Sequence, residues 1–386
     1  MSKRLLPIED LTLQRFPITK DQTLKAWNAA DEYLLEWVNE NVLKQTDKIL
    51  IINDQFGALS CSLSQFQPFY WTDSYLSKTA IQKNLQSNSL DETLQHVNQC
   101  SQTLPEYIKF DWVIIRIPKH NSLLSFQLKS LLPFIHSNTK ILSAGMSKDI
   151  HKSNLNLFES IIGKTSTSLA KKKARLIFSQ VDKFSEQNSE QDLLKISSCN
   201  YQIKQLGLNI TGLPGVFSRE SLDIGSRVLL QYIPETEPEQ KLIDLGCGTG
   251  VLGTYAAKQN PYLEITFTDE SWLAVESAKT TFQENTGHIP LTKVTDVLDG
   301  LPDVHYDYVL CNPPFHQQNV QTLSIANRMF KESSKKLKKS GEIRVVANRH
   351  LKYKPMLSKY FRTVQVMSKD PKFVVWLAKT PKRQPQ

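Results

Sequence analysis

The chain is 386 residues long, too long for one ordinary core; at about 150 residues per domain, two or three domains are expected. Apolar residues make up 40% and charged residues 22%, which excludes a wholly disordered or fibrous chain. The net charge of +9 is uneven, +3 over residues 1–200, −7 over 201–330 and +13 over 331–386, so the end of the chain suggests a surface facing a polyanion such as RNA or DNA, although a solvated helix face and a basic tail account for it equally well.

The opening segment, MSKRLLPIEDLTLQRFP, is broken by charges and prolines and lacks the apolar core of a signal peptide. The chain contains no run of about 18 uninterrupted apolar residues, so no membrane span is expected. Five scattered cysteines, Cys61, Cys100, Cys199, Cys247 and Cys311, include no C-x-x-C pair. That argues against a disulfide framework or a zinc knuckle and for a reducing compartment; a cytoplasmic protein without a metal is the expectation.

Residues 1–200 read as a lower-fidelity copy of the second half of the chain. Trp71-Thr72-Asp73-Ser74 resembles Phe267-Thr268-Asp269-Glu270, and Asp111-Trp112-Val113-Ile114 resembles Asp307-Tyr308-Val309-Leu310, both at a separation of 196 residues. Lys48–Leu59 (KILIINDQFGAL) resembles Lys241–Leu252 (KLIDLGCGTGVL) at nearly the same offset. An internal duplication is therefore expected, with domains over 1–200 and 201–386 and a linker in the Ser/Gln-rich stretch around Ser179–Ser198. A duplicated chain could do internally what a dimer does elsewhere, and a monomer is expected.

In the second copy, strands are expected at Lys241–Leu245, Glu264–Thr268, Leu291–Thr295, Tyr308–Cys311 and Ile343–Asn348. Helices are expected at Val251–Gln259, Ser271–Glu284 and Asn319–Lys339, the last ending at Gly341. Such alternation predicts an α/β fold, a mainly parallel sheet with helices on both faces. Thr363–Met367 and Phe373–Ala378, joined by a turn at Lys369–Pro371, should close it as an antiparallel pair.

Two motifs carry chemistry. Asp244-Leu245-Gly246-Cys247-Gly248-Thr249-Gly250 follows a strand and opens a helix, so its backbone can pass close to a ligand and present N–H donors. The next strand ends in Asp269, a position from which a carboxylate accepts hydrogen bonds from the ribose of an adenosyl cofactor. Asn312-Pro313-Pro314-Phe315 follows the fourth strand. There the Asn312 side-chain oxygen and the Pro313 carbonyl make two acceptors for one planar amino group, the prolines stiffen the loop, and Phe315 can stack on the ring bearing the amine. This suits methylation of an exocyclic amine by a sulfonium donor, with positioning as the main catalytic device and no general base evident.

Together these residues resemble the class I S-adenosylmethionine-dependent N-methyltransferases. Leu11–Pro17 (LTLQRFP), Phe56–Ser60 (FGALS), Gly215–Ser218 (GVFS), Cys311–Gln318 (CNPPFHQQ) and Val346–Leu351 (VANRHL) further resemble the ribosomal RNA guanine-N2 methyltransferases. Within that family the start of the chain looks more like the large-subunit (23S) enzymes than the small-subunit (16S) ones. The resemblance implies two tandem Rossmann-like domains, the first degenerate and the second catalytic, with S-adenosylmethionine as cofactor and 23S ribosomal RNA as partner. It implies that Asp244, Gly246, Cys247, Gly248 and Gly250 hold the methionine portion, that Asp269 takes the ribose hydroxyls and that Asp296 lies beside the adenine amine. Phe217 and Ser218 would close over the cofactor, and Asn312, Pro313, Pro314 and Phe315 would hold the target guanine.

At the 196-residue offset, Asn312 and Phe315 fall on Arg116 and Lys119, and the glycine loop becomes Asn53-Asp54-Gln55-Phe56-Gly57. The first copy is therefore expected to bind no cofactor and to grip RNA or steady its neighbour. Arg116, Lys119 and the Lys171–Arg175 cluster are candidate contacts; so are Lys335, Lys336, Lys338, Lys339, Arg344, Arg349, Lys352 and Lys354 near the end of the chain. The competing readings are a DNA adenine or a protein glutamine as acceptor, a 16S target, and a non-catalytic RNA-binding or assembly protein with a vestigial fold.

Overall fold

The computed structural model describes residues 4–18, 23–41, 43–90, 96–99, 104, 108–183, 190–314, 320–368 and 370–382. Two compact units, Met1–Ser197 and Ser198–Gln386, divide the chain. The first runs α1 (Ala29–Glu40), β1 (Ile49–Ile52), α2 (Ala58–Ser62), β2 (Phe69–Thr72), α3 (Tyr75–Ser87), β3 (His96–Gln99), β4 (Trp112–Arg116), α4 (Asn121–Leu131), β5 (Lys140–Met146), α5 (Lys152–Ile161), β6 (Thr165–Thr167), β7 (Ala174–Gln180) and α6 (Glu190–Ser197). The second opens with a hairpin of β8 (Cys199–Ile203) and β9 (Leu208–Gly212). It continues with α7 (Ile224–Leu230), β10 (Lys241–Leu245), α8 (Val251–Gln259), β11 (Glu264–Asp269), α9 (Trp272–Thr286), β12 (Leu291–Val294) and β13 (Tyr306–Cys311). It ends with α10 (Val320–Lys336), β14 (Leu337–Asn348), α11 (Tyr353–Tyr360), β15 (Phe361–Val366) and β16 (Phe373–Pro381).

Among the described residues each unit holds one seven-stranded sheet, in the order β3-β2-β1-β4-β5-β7-β6 and β12-β11-β10-β13-β14-β16-β15. The orders are the same when each unit is counted from its own first sheet strand. In both, six strands share one direction, and the remaining one, β7 or β16, runs antiparallel between the last parallel strand and the edge. The fold is α/β with two tandem Rossmann-like domains.

The apolar runs explain the arrangement. A parallel strand covered by helices on both faces is apolar at nearly every position, and β1 (ILII) and β2 (FYWT) are buried throughout. In β10, Leu242 faces a core with Val251, Leu252, Ile265 and Phe267, while Ile243 and Leu245 face another with Met329, Phe330 and Leu357. The period-two alternation thus assigns α8 and α9 to one face and α10 and α11 to the other. The N-cap serines of α3 and α9, Ser74 and Ser271, each accept a hydrogen bond from the backbone N–H three residues on.

Two contacts are built identically in both units. Asp307 at β13 accepts a hydrogen bond from the backbone N–H of Lys241 at 2.9 Å, and Asp111 accepts one from Lys48 at 2.8 Å. Gly250 and Gly57, each five residues past the end of its strand, cap α8 and α2 at φ 74° and 90°. A Cβ on Gly250 would lie 2.7 Å from the Cα of Ala278, and one on Gly57 would lie 3.1 Å from the Cα of Ile81. A side chain there would force apart two helices packed backbone to backbone.

Several expectations are corrected. The helix expected to run to Lys339 stops at Lys336, and β14 begins at Leu337 and carries Gly341 within it. Leu337 is fully buried and pairs with Tyr306 across a register irregularity, which draws the chain into the sheet early. The stretch expected as a linker, around 179–198, holds the end of β7 and the helix α6, and the two units divide within it, between Ser197 and Ser198. Helices α7 and α11 and the β8–β9 hairpin are additions to the expected elements; α11 has Pro355 in its first turn, which a helix tolerates.

Replacing Gly57 by Ala should lower the stability of the first unit by about 2 kcal/mol, combining left-handed backbone strain with helix crowding. Equilibrium urea denaturation measures it, and an unchanged midpoint would contradict a packing role for this glycine.

Candidate active site

Strands β10 and β13 pair in register, Leu245 with Cys311, and β10 pairs with β11, Leu245 with Thr268. Neighbouring strands lie about 4.8 Å apart. The glycine loop, Asp269 and Asn312 therefore leave three adjacent strands at the same edge, where an open α/β sheet binds its ligands.

The loop is held by its own backbone. Gly246 and Cys247 N–H both donate to the carbonyl of Thr268, at 2.8 and 3.0 Å, and Gly250 N–H donates to the carbonyl of Cys247 at 2.8 Å. Gly246 and Gly248 have φ of 70° and 52°, and Gly248 N–H donates to Asp269 Oδ2 at 3.1 Å. Asp269 Oδ1 accepts from Ser271 N–H at 3.1 Å. A carboxylate offers about four lone-pair positions, and the backbone N–H of Glu270 also bonds to Asp269, so the carboxylate keeps capacity for a further hydroxyl. Burial raises its pKa, against the pull of these N–H groups.

Asp244 lies beneath the loop, 1% exposed, and accepts from Gly253 N–H of α8 at 2.8 Å. Burial pushes its carboxyl up to about 7. Burial also raises the Cys247 thiol well above its ordinary value, so it makes no thiolate nucleophile.

Over the loop lies the Gly215–Ser218 segment. A Cβ on Gly248 would sit 3.5 Å from the Phe217 carbonyl oxygen, and the Phe217 side chain is 45% exposed, a large apolar surface at the mouth. Ser218 has a left-handed φ of 58°; its carbonyl accepts from the Tyr201 hydroxyl at 3.2 Å, and its Oγ donates to Asp223 Oδ1 at 3.3 Å. Burial pushes the Tyr201 hydroxyl up to about 12, so it stays a donor at neutral pH.

Thr295 N–H donates to the Asp269 carbonyl at 2.9 Å, which brings the buried Asp296 to the same edge. Its carboxylate is paired with Arg328 of α10. Burial nevertheless raises its pKa against the pull of that guanidinium. Asn312 donates from Nδ2 to Asp223 Oδ2 at 3.2 Å and to Ser226 Oγ at 3.0 Å. Its Oδ1 is buried without a hydrogen-bond partner among the described residues. Pro313 is buried and Pro314 exposed; Phe315 and His316 lie outside the described residues. Tyr201, Asp223, Ser226 and Arg328 join the site only in three dimensions. For Asp223 and Ser226 the readable signal is a helix cap in Leu222-Asp223-Ile224-Gly225-Ser226.

The edge can admit an adenosyl ligand: left-handed backbone where a side chain would stand, carboxylate acceptors for hydroxyls beside it, and an orphaned buried oxygen at the end of the next strand. Several of the candidate RNA contacts are engaged in ion pairs within their own unit. Arg116 forms an ion pair with Asp31 at 2.9 Å, Lys172 with Glu32 at 2.8 Å, and Lys171 with Glu36. Lys335, Lys336 and Lys338 pair with Glu332, Asp303 and Asp307, and Arg344 pairs with Glu342. Of the candidates, Lys119, Lys171, Lys172, Lys173, Arg175, Lys335, Lys339, Arg349, Lys352 and Lys354 are exposed. Among the described residues no group of three or more His, Cys, Asp or Glu could hold a metal ion, and no helix is long and apolar enough to cross a membrane.

Because Asp244 binds its proton more tightly folded than unfolded, its stabilising contribution is full below about pH 4 and is lost as pH rises through about 7. Asp244→Asn should therefore flatten the fall in melting temperature between these values, as followed by calorimetry. An unchanged pH slope would contradict the buried carboxyl.

A family model described as "RLMG N-terminal domain" matches residues 1–183, and one described as "Methyltransferase small domain" matches 207–377. The ribosomal RNA large subunit methyltransferase G of Vibrio vulnificus is 39% identical over 370 residues, 95% of this chain and 96% of that protein. That of Vibrio cholerae is 40% identical over 374 residues, again 95% and 96%. Among solved structures, the T. thermophilus 16S rRNA N2 methyltransferase RsmC, in complex with AdoMet and guanosine, superposes with a TM-score of 0.74. That match covers 97% of each chain at 17% identity and shows a shared fold. With such identity to these relatives along nearly its whole length, the chain belongs to the ribosomal RNA large subunit methyltransferase G family.

Proposed function

We infer that this chain transfers a methyl group from S-adenosylmethionine to the exocyclic N2 of a specific guanine in 23S ribosomal RNA. The relatives' name supplies the large-subunit RNA, and the solved neighbour of like fold was captured with AdoMet and guanosine. The observation that carries the reading is the orphaned Asn312 Oδ1, at the end of the strand next to the glycine loop.

S-adenosylmethionine, when bound, supplies a methyl already activated on a sulfonium, so the chain's task is placement. In this reading Gly246, Cys247, Gly248 and Gly250 accommodate the methionine portion, with Asp244 fixing the loop from beneath. Asp269 takes the ribose hydroxyls, Asp296 reads the adenine side, and Phe217 and Ser218 cover the ligand. Asn312 Oδ1 and the Pro313 carbonyl accept the two N–H bonds of the guanine amine and hold them as the nitrogen pyramidalises. Pro314 stiffens the loop, and Phe315 is assigned the stacking surface for the base. A guanine locked in a helix cannot enter, so the target is unpaired or flipped out.

The catalytic work is assigned to Ser198–Gln386, and Met1–Ser197 is read as a cofactor-less partner that grips RNA or steadies it. Exposed Lys119, Lys173 and Arg175 support the first role, and Arg349, Lys352 and Lys354, just past β14, add cations beyond the end of the strand beside Asn312. The acting species is read as a cytoplasmic monomer.

Incubating the protein with labelled S-adenosylmethionine and 23S RNA lacking the modification should yield N2-methylguanosine on nucleoside digestion; label in another nucleoside would overturn the reading. Asn312→Ala should cut transfer about 100- to 1,000-fold, the effect of losing one preorganised transition-state partner, with cofactor affinity within about threefold of wild type. Asp269→Ala should weaken cofactor binding about 10- to 100-fold in titration calorimetry, as loss of charge-assisted hydrogen bonds does.

A further inference from the structure

We propose that Asp223 and Ser226 are positioning residues that hold the Asn312 amide by its nitrogen and so fix Oδ1 as the acceptor for the methyl-receiving amine. The proposal rests on the role of Asn312 inferred above. An asparagine amide can turn over by half a rotation and present either a donor or an acceptor with almost the same shape. A donor in that place would face the N–H bonds of the substrate amine and repel them. Something in the protein must therefore decide which end points outward.

The first turn of α7 decides it. Asp223 is the N-cap, and its Oδ2 accepts from Ser226 N–H at 3.0 Å and from Asn312 Nδ2 at 3.2 Å. A carboxylate has only acceptors to offer, so it can satisfy Nδ2 and cannot satisfy Oδ1. Ser226 Oγ, in a residue 6% exposed, accepts from the same Nδ2 at 3.0 Å. Both amide protons are thereby engaged, and Oδ1 is left buried without a partner among the described residues. The approach depends on Gly225. A Cβ there would stand 3.2 Å from Asn312 Oδ1 and 3.0 Å from Asp223 Oδ2, crowding the acceptor and its anchor together.

The first unit keeps the device with a different cargo. The N-cap of α1, Asn28, accepts from Arg116 Nη2 at 3.3 Å, and Asp31 pairs with the same guanidinium at 2.9 Å. Asn28 and Asp31 precede Asp223 and Ser226 by 195 residues each, and Arg116 ends β4 much as Asn312 follows β13. In both units the helix cap supplies acceptors to the residue at the strand end. Arginine has donors only, whereas an asparagine held by its donors has an acceptor left over.

Asp223→Ser tests this, because serine still caps the helix but is too short to reach Asn312. At saturating cofactor, single-turnover transfer to 23S RNA should fall about tenfold or more, the effect of losing one charge-assisted hydrogen bond, with an unchanged melting temperature. In an Asn312→Ala background the same substitution should change the residual rate less than about twofold, since a residue acting through Asn312 has nothing left to orient. Equal losses in both backgrounds, or no loss with Asn312 present, would overturn the proposal. Should Asp223→Ser fail to fold, Ser226→Ala carries the same cycle with a smaller expected loss. If Asn312→Ala itself turned over at the wild-type rate, the role of Asn312 would fall first.

Discussion

Between β10 and β13 the order of the second sheet reverses, and the chain leaves the two strands toward opposite faces. Helix α8, following β10, packs in the core with Phe267 and Leu310, and α10, following β13, packs in the core with Ile343 and Tyr353. Adjacent strand ends whose chains diverge leave a crevice that no side chain needs to fill. The pairing of Leu245 with Cys311 fixes its two walls, the glycine loop and the Asn312 loop. Sheet register therefore sets the distance between donor and acceptor more than any property of the loops.

The first sheet has the same reversal between β1 and β4, yet its crevice is furnished with other residues. Asn53 stands where Gly246 does, with a left-handed φ of 62°, and its amide donates to the Arg116 carbonyl at 3.1 Å and to Gln127 at 2.9 Å. Asp54 is buried and accepts from Gly57 N–H and Ser60 N–H. Burial raises its carboxyl to about 6. Gly57, Asp73 and Asp111 persist in both copies, whereas Asn53, Gln55 and Arg116 stand where the second copy has Gly246, Gly248 and Asn312. A fold can thus outlive its site, because helix contacts and strand-end caps are separable from the loop that touches substrate.

What the sequence revealed is what local pattern encodes. The strands of the second sheet are short apolar runs punctuated by turns, and both motifs are contiguous, so β10, α8, β11 and the Asn312 loop could be read directly. Leu337 is different: its place in the sheet depends on Tyr306, thirty-one residues earlier. Helix α7 is seven residues long with Gly225 in its first turn, below the length at which periodicity speaks. Asp223 reads locally as a cap, and its grip on Asn312 spans 89 residues. Arg328 likewise reads as a solvated helix position until Asp296 is brought to it. Long-range polar pairing leaves no periodic trace in a sequence.

The cationic end of the chain shows how little a formal charge count says about association. Of the 16 basic residues from Lys331 onward, Lys335, Lys336, Lys338, Arg344 and Lys379 are already matched to carboxylates of their own unit. A matched ammonium displaces no sodium from a phosphate backbone unless it first abandons its partner. Ionic-strength sensitivity of binding is set by the counterions actually released. The thermodynamic valence of this protein toward a polyanion is therefore smaller than its composition declares.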